Sequence, residues 1–133
     1  VEQFGHRANG SLRGQKADIY EGGHRIPLLV RWPGKVAGGT ENSGPVVLTD
    51  LMETFAAISG AVPGGDAAPD GVDLSPLLFP REGVTFERPP VIHHSLDGMF
   101  AIRSGNWKLI EGLGSGGFTK TSRIEVEGKT SPY

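Results

Sequence analysis

Polar and glycine-rich positions dominate as far as Arg25, after which Ile26 to Trp32 form a short, nearly continuous apolar run, the pattern of a strand covered on both faces. Pro33-Gly34 ends it, and a loop through Gly38-Gly39 and Asn42-Ser43-Gly44-Pro45 follows. The apolar spacing of Leu51, Phe55 and Ile58 then predicts a helix over 51–59 with those three on one face. Asp50 is placed to cap its start, with Glu53 as capping-box partner, and Gly60 to stop it. Pro63-Gly64-Gly65 and Pro69-Asp70-Gly71 mark a loop, and Leu74 to Leu78 a short helical segment with Pro76 at an early, tolerated position.

Beyond this stretch the period changes from helical to alternating. Val91 to His94, Phe100 to Arg103 and Asn106 to Ile110 read as antiparallel strands. A turn at Ser104-Gly105 sets Ile102 opposite Trp107 and Phe100 opposite Leu109, which gives one shared apolar side for a core. A glycine-rich connection from Gly112 to Gly117, read as flexible, and a weaker strand around Arg123 to Val126 complete the pattern. The expected organisation is two parts, residues 1–79 and 80–133, and no internal repeat is evident.

Composition narrows the choice. A chain of 133 residues has room for about one domain. Its Gly 21 and Pro 10 are about twice the usual ~12% share, so much of it must be turn and loop and a helical bundle is excluded. A formal net charge of -2 and a pI near 6.1 give no general attraction for nucleic acid or an anionic membrane, so anion binding has to be local. The absence of Cys removes disulfides, thiol chemistry and Cys-based zinc sites. No apolar run approaches ~18 residues. The start, Val1-Glu2-Gln3-Phe4-Gly5-His6, has neither an initiating Met nor a signal-peptide pattern and reads as a cut within a longer chain.

One stretch carries a local anion site. In Leu12-Arg13-Gly14-Gln15-Lys16, glycine lets backbone approach a bound anion while the long cationic arm of Lys16 reaches it. A solvated loop lysine is the plainer alternative. Downstream, Glu21-Gly22-Gly23 permits a tight backbone path, and a Glu21–Arg25 pair is expected to support the loop; His24 has no assigned role. Two nucleotide patterns are set aside. Residues 10–16 lack the spacing and the Gly-Lys-Ser/Thr ending of a phosphate loop, and Gly112-Leu113-Gly114-Ser115-Gly116-Gly117 has no following helix or room for a dinucleotide-binding unit. His93 and His94 are neighbours on a strand, so they face opposite ways and do not form a two-His metal site.

The run Leu12-Arg13-Gly14-x-Lys16, then Glu21-Gly22-Gly23-x-Arg25-x-Pro27 and Trp32-Pro33-Gly34, resembles type I sulfatases, the arylsulfatase-like branch of the alkaline phosphatase superfamily. His93-His94-Ser95-x-x-Gly98-x-Phe100-Ala101-Ile102-Arg103-x-Gly105-x-Trp107-Lys108-Leu109 resembles the smaller, later part of many bacterial members. The resemblance implies an α/β fold: the end of a sulfatase-type catalytic domain over 1–79, then a small antiparallel sheet subdomain over 80–133. It implies that Lys16 contacts the sulfate and the leaving oxygen, and that His93 or His94 touches the organic part of the substrate. The family works with calcium and a formylglycine made from C-x-P-x-R or S-x-P-x-R. Neither pattern occurs here, and Ser43-Gly44-Pro45-Val46-Val47 lacks the arginine. No cofactor or metal ligand is therefore expected in this piece, which is read as a C-terminal portion, inactive alone, of a periplasmic or secreted enzyme acting on a sulfate ester. A phosphoryl-transferring relative and a stand-alone binding module remain alternatives, as does self-association through exposed strand edges.

Overall fold

The computed structural model describes residues 4–64 and 66–119. It contains helices α1 (Glu21–His24), α2 (Asp50–Ser59) and α3 (Ser75–Leu78), and strands β1 (Val91–His94), β2 (Phe100–Ser104) and β3 (Trp107–Ile110). The chain divides into two compact units, Val1–Pro27 with Ile92–Tyr133, and Leu28–Val91.

Unit Leu28–Val91 is organised around a buried carboxylate. The Asp50 Oδ2 accepts the Val47 N–H at 2.8 Å, and its Oδ1 accepts the Val72 N–H at 3.1 Å and the Arg88 guanidinium at 2.6 Å. Thr54, one turn on, donates its hydroxyl to the Asp50 carbonyl at 2.7 Å and accepts the Leu74 N–H at 2.9 Å. These bonds tie α2 to the segment entering α3. They also explain two departures from expectation. Thr49, without a side-chain cap bond, holds the position before the helix, because the Asp50 carboxylate is already occupied. The face turned inward is Asp50, Thr54 and Ala56, whereas Phe55 is exposed. The helix ends as expected: Gly60 takes φ 72°, and the N–H groups of Gly60 and Ala61 return to the Ala56 carbonyl.

The predicted strand at Ile26 to Trp32 does not form. A strand needs a partner ladder, the described sheet is built from residues 91–110, and Leu29 is left 86% exposed.

The three strands lie in the order β1-β2-β3, the antiparallel sheet the sequence predicts. The hairpin register, however, pairs Ile102 with Leu109 and Arg103 with Lys108 around Gly105-Asn106. Gly105, at φ 54°, supplies the positive angle needed at the first turn position, which moves the turn one residue later and each pairing by two. Because the slip is even, Phe100, Ile102, Trp107 and Leu109 still share a side. That side faces outward, with Trp107 74% exposed, while Ala101 is buried and Arg103 and Lys108 are half-buried on the opposite side. The predicted apolar core of the hairpin is thus turned inside out, because α1 offers the sheet a carboxylate rather than an oily surface.

Candidate functional site: a lysine on a braced loop

The polypeptide around Lys16 is fixed by backbone, not by its own side chain. Asp18 is fully buried; its Oδ2 accepts the Gln15 N–H at 2.8 Å and the Thr119 hydroxyl, and its Oδ1 accepts the Thr119 N–H at 3.0 Å. The Ala17 carbonyl accepts the Leu96 N–H at 2.9 Å, and the Ile19 N–H donates to the Ser115 carbonyl at 2.7 Å. Lys16 stands between these anchors with its side chain in solvent. Ala17 has φ 81°, the one positive φ outside glycine among the described residues. Upstream, the Arg13 guanidinium lies 3.9 Å from the centre of the Tyr20 ring.

The glycine-glycine step of α1 has a steric cause. A Cβ on Gly23 would overlap the Asp18 carbonyl, and the Gly22 N–H bonds the Arg13 carbonyl at 2.7 Å, so the helix can close on the loop only without side chains there.

Beneath the loop lies a charged layer. Glu21 meets Lys108 Nζ at 3.0 Å and Arg103 at 3.0 Å, and Lys108 also donates to the Ile19 carbonyl at 2.5 Å. The sheet, rather than the expected Arg25, therefore supports Glu21, and Arg25 itself is exposed. Burial alone would raise the Glu21 carboxyl, but the hydrogen bond and charge of Lys108, with Arg103 and Arg25, outweigh it and hold it below its ordinary value. Burial lowers Lys108 despite Glu21.

The two adjacent histidines face opposite ways, as alternation requires. His93 turns inward, its ring 4.4 Å from that of His24 and edge-on to it. Neither buried Nε2 has a hydrogen-bond partner among the described residues. Burial, then the Lys108 charge and His24, push His93 down to about 4; burial and Lys108 lower His24 as well. His94 is on the exposed side, 5.9 Å from the Phe100 ring, with Nδ1 at 2.8 Å from the Ser95 carbonyl. The structure thus brings His93 together with His24, Glu21 and Lys108, and attaches the residues after His94 to the Lys16 loop through Leu96. The residues missed from sequence are Asp18, Lys108, Ser115 and Thr119. Lys108 alone left a signal, its place between Trp107 and Leu109, and that signal implied a solvent-facing side.

Calcium does not fit the acceptors of Asp18, Glu21 or Asp50. Asp18 is filled by three donors, Glu21 by two cations and Asp50 by two N–H groups and Arg88. Among the described residues no three potential ligand side chains converge on one point. No described helix is long and apolar enough to cross a membrane.

An exposed ammonium on a loop locked from both sides defines a cation-presenting element, suited to an anionic group. Comparison with known proteins gives that element a family. The chain is 43% identical over 84 residues to mouse steryl-sulfatase, covering 59% of this chain and 14% of that protein. It is 41% identical over 105 residues to human arylsulfatase A, with 75% and 20% covered. It is 34% identical over 107 residues to the N-acetylgalactosamine-6-O-sulfatase of Bacteroides thetaiotaomicron, with 80% and 20% covered. The chain belongs to the sulfatase family. It spans about a fifth or less of the length of these relatives. No family model matches it.

Proposed function

We propose that this chain is the C-terminal portion of a sulfuric ester hydrolase, and that Lys16 is its contribution to the chemistry. In this reading residues 1–79 close the α/β catalytic domain and residues 80–133 form the antiparallel subdomain beside it. Hydrolysis breaks the bond between sulfur and the ester oxygen, transfers the sulfuryl group to water and releases sulfate and an alcohol or phenol. Charge builds on the leaving oxygen as that bond breaks, and the Lys16 ammonium is offered to this oxygen and to the sulfate. Its value lies in preorganisation: the loop is fixed before substrate arrives, so little reorganisation is needed when charge develops. His93 or His94 is proposed to meet the organic part of the ester. Calcium and formylglycine are assigned to the remainder of the protein, and the isolated chain is expected to be inactive. A secreted or periplasmic location is part of the same proposal.

The observation that carries the reading is the exposed Lys16 side chain between anchored Gln15 and Ala17. In the full-length enzyme, Lys16→Ala should lower kcat for an aryl sulfate by about 10²–10³, the usual loss for one preorganised donor. Unaltered turnover would overturn the assignment. Comparing matched sulfate and phosphate esters in the same assay tests the phosphoryl-transfer alternative, which requires the phosphate ester to be the better substrate.

A further inference from the structure

We propose that Asp18 is a positioning residue for Lys16, with the segment Ser115–Thr119 as the second half of the clamp that aims the lysine. This rests on the reading of Lys16 given above. The Asp18 carboxylate is fully buried, yet all three of its hydrogen bonds serve the geometry of one short loop. One donor, the Gln15 N–H, immediately precedes Lys16. The other two come from Thr119, across 101 residues of sequence. On the far side of Lys16, the Ala17 carbonyl and the Ile19 N–H are taken by Leu96 and Ser115. Lys16 thus departs from a backbone held on both sides, next to Ala17 at φ 81°.

That angle has a cost. A non-glycine residue at φ 81° is disfavoured by roughly 1–2 kcal/mol, and such a conformation persists only where its surroundings over-determine it. Here they do. Gly117 lies so close that a Cβ on it would overlap the Ala17 carbonyl, while the Gly117 N–H is accepted by the Ser115 hydroxyl at 3.1 Å. Segment 112–117, read from sequence as a flexible connection, instead meets the loop through Ser115, which is buried and accepts the Ile19 N–H, and through Gly117, while Leu113 is exposed. The strained alanine thus lies immediately beside the exposed Lys16, in the stretch that the clamp holds.

The chemistry of the clamp requires an acceptor on both carboxylate oxygens. In Asp18→Asn, either orientation of the amide sets an NH2 against a backbone N–H, that of Gln15 or that of Thr119. Burial would raise the Asp18 carboxyl, but the Thr119 and Gln15 bonds outweigh it and keep it below its ordinary value, so the acceptor form is the one present near neutral pH.

The test is a double-mutant cycle in the full-length enzyme, with 4-nitrophenyl sulfate as probe. Asp18→Asn should lower kcat by roughly 10–100-fold, the scale of a misplaced catalytic group, with a much smaller change in KM. Thr119→Val, which keeps the carboxylate and removes one donor, should lower kcat in the same sense by less, and it carries the test if Asp18→Asn fails to fold. In a Lys16→Ala background neither substitution should lower kcat further, because there is no lysine left to aim. Losses that multiply in that background, or unchanged kcat in both single variants while Lys16→Ala is impaired, would overturn the clamp and leave the role of Lys16 standing. Full turnover by Lys16→Ala would overturn both.

Discussion

At the scale of residues, the layer under the Lys16 loop combines groups that need one another's charge state. His93 is neutral because protonation would place a buried cation beside Lys108. The unfolded chain takes up that proton at about 6.5, whereas the folded chain does so at about 4. Between those values the unfolded state binds more protons, so stability rises with pH, and the contribution is complete above the unfolded value and lost as pH falls toward 4. Urea midpoints measured from pH 7.5 down to pH 4 should therefore fall, and His93→Phe should flatten the decline. Part will remain through His24, which is lowered for the same reasons. Asp18 and Glu21 are held below their ordinary values and lose their contributions further into acid. Little of this was legible in sequence. Lys16 stood out because a lysine close behind a glycine announces itself locally, but Asp18 looks like any loop aspartate until Thr119, far along the chain, is seen to meet it.

At the scale of elements, what could be read was what neighbours in sequence decide. Helix α2 ends at Gly60 as expected because a C-terminal glycine acts through adjacent backbone. Its start and inward face were misread because Asp50 and Thr54 answer to Val72, Leu74 and Arg88, which pattern does not connect. The β2–β3 hairpin shows the same division. Alternation correctly grouped Phe100, Ile102, Trp107 and Leu109, but the side they face depends on what α1 brings to the sheet. The observed register places Arg103 directly opposite Lys108, a like-charge pair that costs free energy unless an anion bridges it. Glu21 is that bridge. Glu21→Gln should then cost about 3 kcal/mol, since it leaves the Lys108 side chain, itself only 4% exposed, without its counter-charge, as chemical denaturation would measure. It should also favour the alternative register, seen as proton contacts between Ile102 and Trp107 replacing those between Ile102 and Leu109.

At the scale of the whole molecule, the apolar surface has been placed outward. Trp107, Leu109, Phe100 and Ile92 are all exposed on the sheet, and Leu29 in the loop that follows Pro27. Exposed apolar area of this kind favours association when a chain is studied by itself. Sedimentation of the 133-residue chain should show species larger than a monomer, and Trp107→Lys with Leu109→Lys should shift it toward the monomer. An unchanged distribution would place the contact elsewhere. The antiparallel sheet was legible at this scale, since alternation and turns state it outright. The apolar run from Ile26 to Trp32 was not, because a strand is defined by a partner and no single segment specifies one.

The Asp18–Thr119 clamp also has a consequence in time. Chains grow at about 5–20 residues per second, and 101 residues separate the two halves of this contact. For roughly 5–20 s after Asp18 is made, its acceptor oxygens have only the local Gln15 partner and Ala17 has no Gly117 beside it. The Lys16 loop is therefore made about a hundred residues before the segment that holds it, so a ribosome that stalls anywhere in the intervening codons leaves Asp18 with its local Gln15 partner alone.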